Sequence, residues 1–239
     1  MSFSIQPRLI VSALTAFGLL GVYLSAQDPQ VMLAQRLTEI KASLANNQQA
    51  LRQYSWTETT LVSLKGEEKV RQQHECRYGP DGKVAKTLVG APPESGGKKK
   101  RGVKGKIVDK KVGELKEYMG RAASLIQRYV PPDPARMKSA FDTGKAALSR
   151  NAADSSTTVE FKDYFKPGDS LILSMANGQV KSVAVKSYLD DASDAVSLNA
   201  AFQLLADGTN YMAESVLDAT AKQVQIRTTN FDHKKVAGQ

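Results

Sequence analysis

Apolar residues recur at helical spacing over residues 30–52, where Leu33, Leu37, Ile40, Leu44 and Leu51 share one face. That spacing predicts an amphipathic helix that packs one side onto something else. The pattern then switches to alternation. Residues 54–66 place Tyr54, Trp56, Thr60, Val62 and Leu64 on one side, and residues 68–78 set Val70, His74, Cys76 and Tyr78 against Lys69, Arg71, Gln73 and Arg77. A period of two is the strand signature. Lys65-Gly66-Glu67 is a short connection, and Gly79-Pro80-Asp81-Gly82 turns the chain into a third strand over 84–89. The three segments predict an antiparallel meander.

Periodicity stops in residues 90–106, GAPPESGGKKKRGVKGK, whose prolines, glycines and cations predict a loop. A helix is expected over 107–130, from the seam Val108, Val112, Leu115, Met119, Ala122, Ile126 and Tyr129 up to Pro131-Pro132. The seam is short for a coiled coil and predicts packing on another helix or a sheet. Asp133-Pro134 carries the N-cap and first-turn chemistry of a second helix, with Met137, Phe141 and Leu148 as its apolar face. From Thr157 onward six alternating segments follow, with turns at Lys166-Pro167-Gly168-Asp169, Asn177-Gly178 and Asp207-Gly208.

These elements predict an α+β fold without β–α–β alternation: a curved, partly closed antiparallel sheet of about nine strands, a half-barrel. Three helices pack on its concave side. The apolar strand positions Trp56, Val62, Leu64, Phe161, Leu171, Leu173 and Phe202 are expected to line one continuous interior. A one-residue slip would turn any of them outward.

The N-terminus adds an address. Arg8 precedes an uncharged run, Leu9 to Ala26, and the chain turns polar at Gln27-Asp28. This is the pattern of a secretory signal peptide, with cleavage expected after Ala26 or Ser25. A retained membrane anchor is the other reading of the run. Domain organisation follows as a signal peptide over 1–26 and a single domain over 27–239. The lone Cys76 cannot form an internal disulfide and is expected to be buried as a small hydrophobe.

The order of helix, strand meander, helical insertion and second meander resembles the periplasmic lipoprotein-carrier fold (LolA/LolB-like, outer-membrane lipoprotein-sorting proteins). So do Leu51, Tyr54, Trp56, Val62, Lys65 and Gly66 at the first helix–strand passage, and Tyr78, Asp81, Gly82 and Lys83 at the next turn. The resemblance implies an incomplete barrel that holds acyl chains, working in the periplasm or outside the cell. It fixes no ligand-binding residue.

Composition narrows the chemistry. One cysteine and two histidines, His74 and His233, leave no metal-ligand spacing. Hydrolase, nucleotide-binding and metalloprotease motifs are missing from the sequence. Asp190, Asp191 and Asp194 lack the calcium-loop pattern and read as a solvated loop. No enzyme, cofactor or metal is expected. The formal charge is +9, and eight cations against Asp109 alone lie between Lys98 and Lys111. Within this run Lys98, Lys99, Lys100, Arg101, Lys104 and Lys106 are the candidate contacts to an anionic membrane surface or an acidic envelope partner. A solvated loop is the plainer reading. Export and the lack of interleaved aromatics speak against nucleic acid.

Two functions remain. One is an exported, monomeric, non-enzymatic carrier that holds a lipid, a lipoprotein acyl chain or another apolar ligand in the hollow. The other is an envelope interaction protein whose core is filled and whose surface and basic loop do the work.

Overall fold

The computed structural model describes residues 46–90, 103–151 and 156–236. The apolar run 1–26, the helical stripe up to Leu44 and Lys98–Arg101 lie outside the described residues. The end of the first helix, α1, is seen over residues 46–51. It leads into β1 (Tyr54–Leu64), β2 (Glu67–Tyr78) and β3 (Val84–Leu88). Helices α2 (Val103–Ile126) and α3 (Pro134–Asp142) follow, and then β4 (Ala146–Asn151), β5 (Ser156–Lys162), β6 (Ser170–Ala176) and β7 (Gln179–Tyr188). The chain closes with β8 (Ala195–Leu204), β9 (Asn210–Ala219) and β10 (Val224–Lys235).

All ten strands form one antiparallel, open sheet in the order β3-β2-β1-β10-β9-β8-β7-β6-β5-β4. The expectation of about nine strands is short by one. Strand β10 pairs with β1 mid-sheet, which leaves β3 and β4 as the edges. The connection that carries α2 and α3 joins these two edges, so it has to pass across a face of the curved sheet. It covers that face with its apolar side, because neither element can bury its hydrophobic surface alone.

Local chemistry explains most of the turns. Lys65 and Gly66 (φ 54° and 79°) join β1 to β2, and Asn177 and Gly178 (φ 52° and 73°) join β6 to β7. Two successive positive φ values are the hairpin geometry that matches strand twist.

The helical segment departs from expectation at three points. Helix α2 starts at Val103, so Lys104 and Lys106 belong to its first turns and not to a loop. Lysine is a good helix former, and a single Gly105 costs only about 1 kcal/mol relative to alanine. The helix stops at Ile126, before Pro131-Pro132, and Tyr129 donates its backbone N–H to the Ile126 carbonyl in the closing turn. Among the described side chains, Tyr118, Ala122, Leu125 and Ile126 of α2 are buried, as is Tyr129 just beyond it, whereas Val112 of the expected seam is exposed.

Helix α3 begins as expected, with the Asp133 carboxylate accepting from Ala135 N. It ends at Asp142, well before Leu148. Gly144 sits at φ 69°, its N–H bonds the Phe141 carbonyl, and Lys145 N bonds the Ala140 carbonyl. This paired closure is a Schellman motif, which needs the left-handed residue that glycine supplies. The chain beyond is strand β4, paired with β5 from Ala146↔Phe161 to Asn151↔Ser156. Leu148, expected on a buried helix face, lies on this edge strand and is 69% exposed.

The core lies between the helices and the strands β5–β9. Tyr118, Ala122, Leu125, Ile126, Tyr129, Met137 and Ala140 pack against Phe161, Leu171, Leu173, Val183, Val185, Val196, Ala200 and Ala219. Tyr129 is fully buried, and its hydroxyl donates to the Asp169 carboxylate and bonds Ser187 Oγ.

Candidate functional site

Register determines what the covered face presents. Val70, Val62, Ile226, Leu217, Leu198, Val185, Leu171, Phe161 and Ala146 form one row of directly paired residues across nine strands. Every member is apolar. The neighbouring rows place Leu64, Leu173 and Phe202 on this same face, and Trp56 follows two positions beyond Glu58. All seven residues expected in the interior therefore share one side of the sheet.

They do not share one environment. Phe161, Leu171 and Leu173 are inside the core under α2 and α3, at 0–3% exposure. Phe202 is half-buried against that core. Trp56, Val62 and Leu64 are half-buried and stand outside it.

Polarity changes along β1 from one row to the next. Above the Val62 row comes Thr60↔Thr228, and above that Glu58↔Asn230. Glu58 is buried, and both of its carboxylate oxygens accept from Lys86 Nζ, at 2.6 and 2.8 Å. Lys86 belongs to β3, so this ion pair reaches over β2. Cys76 lies in the row between Trp56 and Lys86 and is fully buried. Burial pushes its thiol up to about 11, with the Glu58 charge adding to the rise.

A pocket of about 230 Å3 opens at this polar end, between Leu51 at the end of α1 and the strands. Its wall carries four rings, Trp56, Tyr78, Tyr211 and His233, among apolar and charged side chains. Trp56 Nε1 donates to Asn230 Oδ1 at 3.1 Å, and Asn230 Nδ2 donates to the Met212 carbonyl at 2.9 Å, which fixes the indole. His233 stacks parallel to Trp56 at 5.9 Å, Tyr78 packs on its other neighbour side at 5.6 Å, and Tyr211 lies 4.1 Å from His233. Burial lowers the His233 pKa, so the ring stacks as neutral imidazole near neutral pH.

His233 reaches this face through a bulge. Thr57 pairs with Phe231 and Ser55 with Lys234, which leaves one extra residue on β10, and Asp232 takes φ 54°. A bulge resets the alternation. Asn230 and His233 thereby point to the same side, which strict period-two counting forbids. A second bulge, at Ala213, turns Met212 toward Phe202. Sequence alternation alone did not reveal His233, Asn230, Met212 or the Glu58–Lys86 pair.

The rim is tied down from α1. Asn47 Nδ2 donates to the Asn210 carbonyl at 2.5 Å, and Asn210 N donates back to Asn47 Oδ1 at 2.6 Å. Tyr54 donates to Asp207 at 2.6 Å, and Lys235 lies 3.2 Å from the same carboxylate. The Tyr54 hydrogen bond, helped by Thr209, holds Asp207 well below the usual carboxylate range.

The acids of the loop after β7 are partnered, two of them from α2. Asp190 pairs with Arg121, Asp191 accepts from Ser193, and Asp194 accepts from Tyr118. Among the described residues no helix is long and apolar enough to cross a membrane.

No protein-family model matches the chain, and no curated protein is significantly similar to it. The solved structures to which the chain is similar include two at low identity. A LolA superfamily protein from Nitrosomonas europaea is 7% identical over 84% of this chain and 94% of its own, at a TM-score of 0.37. A DUF1329 family protein from Desulfovibrio piger is 9% identical over 84% of this chain and 93% of its own, at a TM-score of 0.39. Similarity of that depth assigns no function, which has to come from the chemistry of the site.

Proposed function

We propose that this protein is an exported carrier that holds a lipid, or the acyl chain of a lipoprotein, against the concave face of its sheet. The observation behind this reading is the division of that face. Helices fill the β5–β9 half, while the β1–β10 half carries half-buried apolar residues that grade into a buried ion pair. An amphipathic ligand fits this gradient. Its chain would run along Val62 and Leu64 toward Phe202, while Phe161, Leu171 and Leu173 carry the same apolar face on beneath the helices and meet the chain only where the helices give way. Its polar end would meet Trp56, Asn230 and Lys86. A pocket of about 230 Å3 takes the end of such a molecule and not all of it, since whole drug-sized ligands occupy some 300–1,000 Å3. The protein performs no reaction in this reading. It acts as a monomer in the periplasm or outside the cell, and Lys98, Lys99, Lys100, Arg101, Lys104 and Lys106 approach the anionic bilayer surface.

Burial of Phe161, Leu171 and Leu173 favours the second reading, an envelope interaction protein with a filled core. Native mass spectrometry of protein from its own host, paired with displacement of a hydrophobic fluorescent probe by fatty acid, separates the two. Carriage requires a co-purifying lipid or saturable, displaceable probe binding. A bare mass together with no saturable binding rejects carriage and leaves the filled-core protein.

A further inference from the structure

A second cavity, of about 510 Å3, opens between the outer side of α2 and the loops that follow β5 and β7. Three cations face it, Arg121, Arg128 and Lys166, against Glu117 as the carboxylate in its wall. Glu117, Arg121 and Ser124 recur at helical spacing on the exposed side of α2, and Arg128 continues the line in the turn after it, opposite the residues that bury against the sheet. Leu125, Phe165 and Leu189 add an apolar wall.

The positive charge here is only partly answered. Arg121 is paired with Asp190 at 2.5 Å. Arg128 Cζ sits over the Phe165 ring, 3.6 Å from its centroid, and Arg136 approaches the same ring at 4.8 Å. Lys166 Nζ donates to the Tyr188 and Leu189 carbonyls and sits over the Tyr188 ring. Asp169 is the nearest acid on the same loop. Its carboxylate accepts from Phe165 N, Lys166 N and the Tyr129 hydroxyl. Among the described residues neither Arg128 nor Lys166 forms an ion pair with a carboxylate.

We infer that this groove binds a phosphate group carried on a small organic moiety, with Arg121, Arg128 and Lys166 on the oxyanion and Leu125, Phe165 and Leu189 against the carbon portion. A guanidinium presents a rigid fork that matches two phosphate oxygens, and stacking on Phe165 holds the Arg128 fork in place before the ligand arrives. Ser124, between the two arginines in sequence, supplies a hydroxyl donor. Burial lowers the Lys166 pKa, the Asp169 charge works against this, and the Arg128 charge adds to the lowering. A bound anion would act in the same direction as Asp169. The inference does not rest on the carrier reading, because the groove shares no lining residue with the Trp56 pocket.

The test uses the full chain, with sn-glycerol 3-phosphate and inorganic phosphate as soluble probes in titration calorimetry. Vesicles of phosphatidylglycerol, against phosphatidylcholine, are the membrane probe in co-sedimentation. The Arg121→Gln/Arg128→Gln variant should bind about tenfold more weakly or worse, the size of one charge-assisted hydrogen bond. Lys166→Met, which leaves α2 untouched, should weaken the same probe and serves if the double variant does not fold. Lys181→Gln removes an exposed charge on β7 and should change nothing. Loss confined to glycerol phosphate identifies a soluble phosphoester. Loss confined to phosphatidylglycerol sedimentation identifies a lipid headgroup. Equal weakening by Lys181→Gln, or a wild-type protein that binds neither probe, overturns the proposal.

Discussion

Val62 on β1 and Phe161 on β5 stand in one row of the sheet, connected through Ile226, Leu217, Leu198, Val185 and Leu171. Phe161 is 1% exposed beneath the helices, while Val62 is half-buried outside the core cluster. One continuous apolar stripe thus serves as core at one end and as accessible surface at the other. Phe161→Ala should cost about 3–5 kcal/mol of stability, and Val62→Ala no more than about 1 kcal/mol. Urea denaturation of the two variants checks this. Carriage further expects Val62→Asp to lose probe binding while the protein stays folded.

The Glu58–Lys86 pair gives a second expectation. Glu58 is buried and the Lys86 side chain is 46% exposed, so the carboxylate depends on its partner more than the ammonium does. Lys86→Met strands a buried charge and should destabilise by about 1–3 kcal/mol. Adding Glu58→Gln should recover part of that loss. A double-mutant cycle in denaturant reads the coupling, and additive losses would show that the pair contributes nothing.

His233 makes stability depend on pH. Burial depresses its folded pKa below the ordinary 6.5, so the unfolded chain binds the proton first. This contribution is complete above about pH 6.5 and declines as pH falls from there through the folded pKa. His233→Phe keeps a ring against Trp56 and should flatten that slope. Thermal melts between pH 7.5 and 5 would show an unchanged slope if His233 titrates normally.

Cys76 should be inert in the native state. Its thiol is fully buried and its pKa is pushed up to about 11, both of which withhold the thiolate. Labelling by an aromatic disulfide reagent at pH 8 should proceed only through opening of the sheet and quicken in step with urea. Rapid stoichiometric labelling without denaturant would contradict the burial.

The basic run supplies the remaining expectation. Each lysine or arginine near an anionic bilayer contributes about 1 kcal/mol, screened over roughly 8–10 Å at physiological salt. Replacing Lys98, Lys99, Lys100 and Arg101 by glutamine should weaken salt-sensitive vesicle binding, by up to about 4 kcal/mol, and leave the melting temperature nearly unchanged. Equal, salt-insensitive sedimentation by wild type and variant would leave these residues as a solvated, charged connection.

Period-two alternation in the sequence determined which residues of each strand share a side. Tyr54, Trp56, Val62 and Leu64 on β1, and His74, Cys76 and Tyr78 on β2, needed no tertiary information. The turn residues Lys65-Gly66 and Asn177-Gly178, and the Asp133 cap, were equally local, because each acts within a few residues of chain. Which residues share a face was therefore legible, but not which face turns inward, since a one-residue slip inverts it. Tertiary structure decided the rest. The end of α3 and the turn into β4 came from Gly144 and from pairing with β5, which outweighed the helical spacing of Phe141 and Leu148. The bulges at Asp232 and Ala213 put His233 and Met212 on the inner face, and a bulge forms only where two strands meet in register. The Glu58–Lys86 pair joins β1 to β3 across a third strand. Whether an apolar residue is core or cavity wall depends on where the helices come to rest, and that is a property of the packed sheet, not of the pattern along the chain.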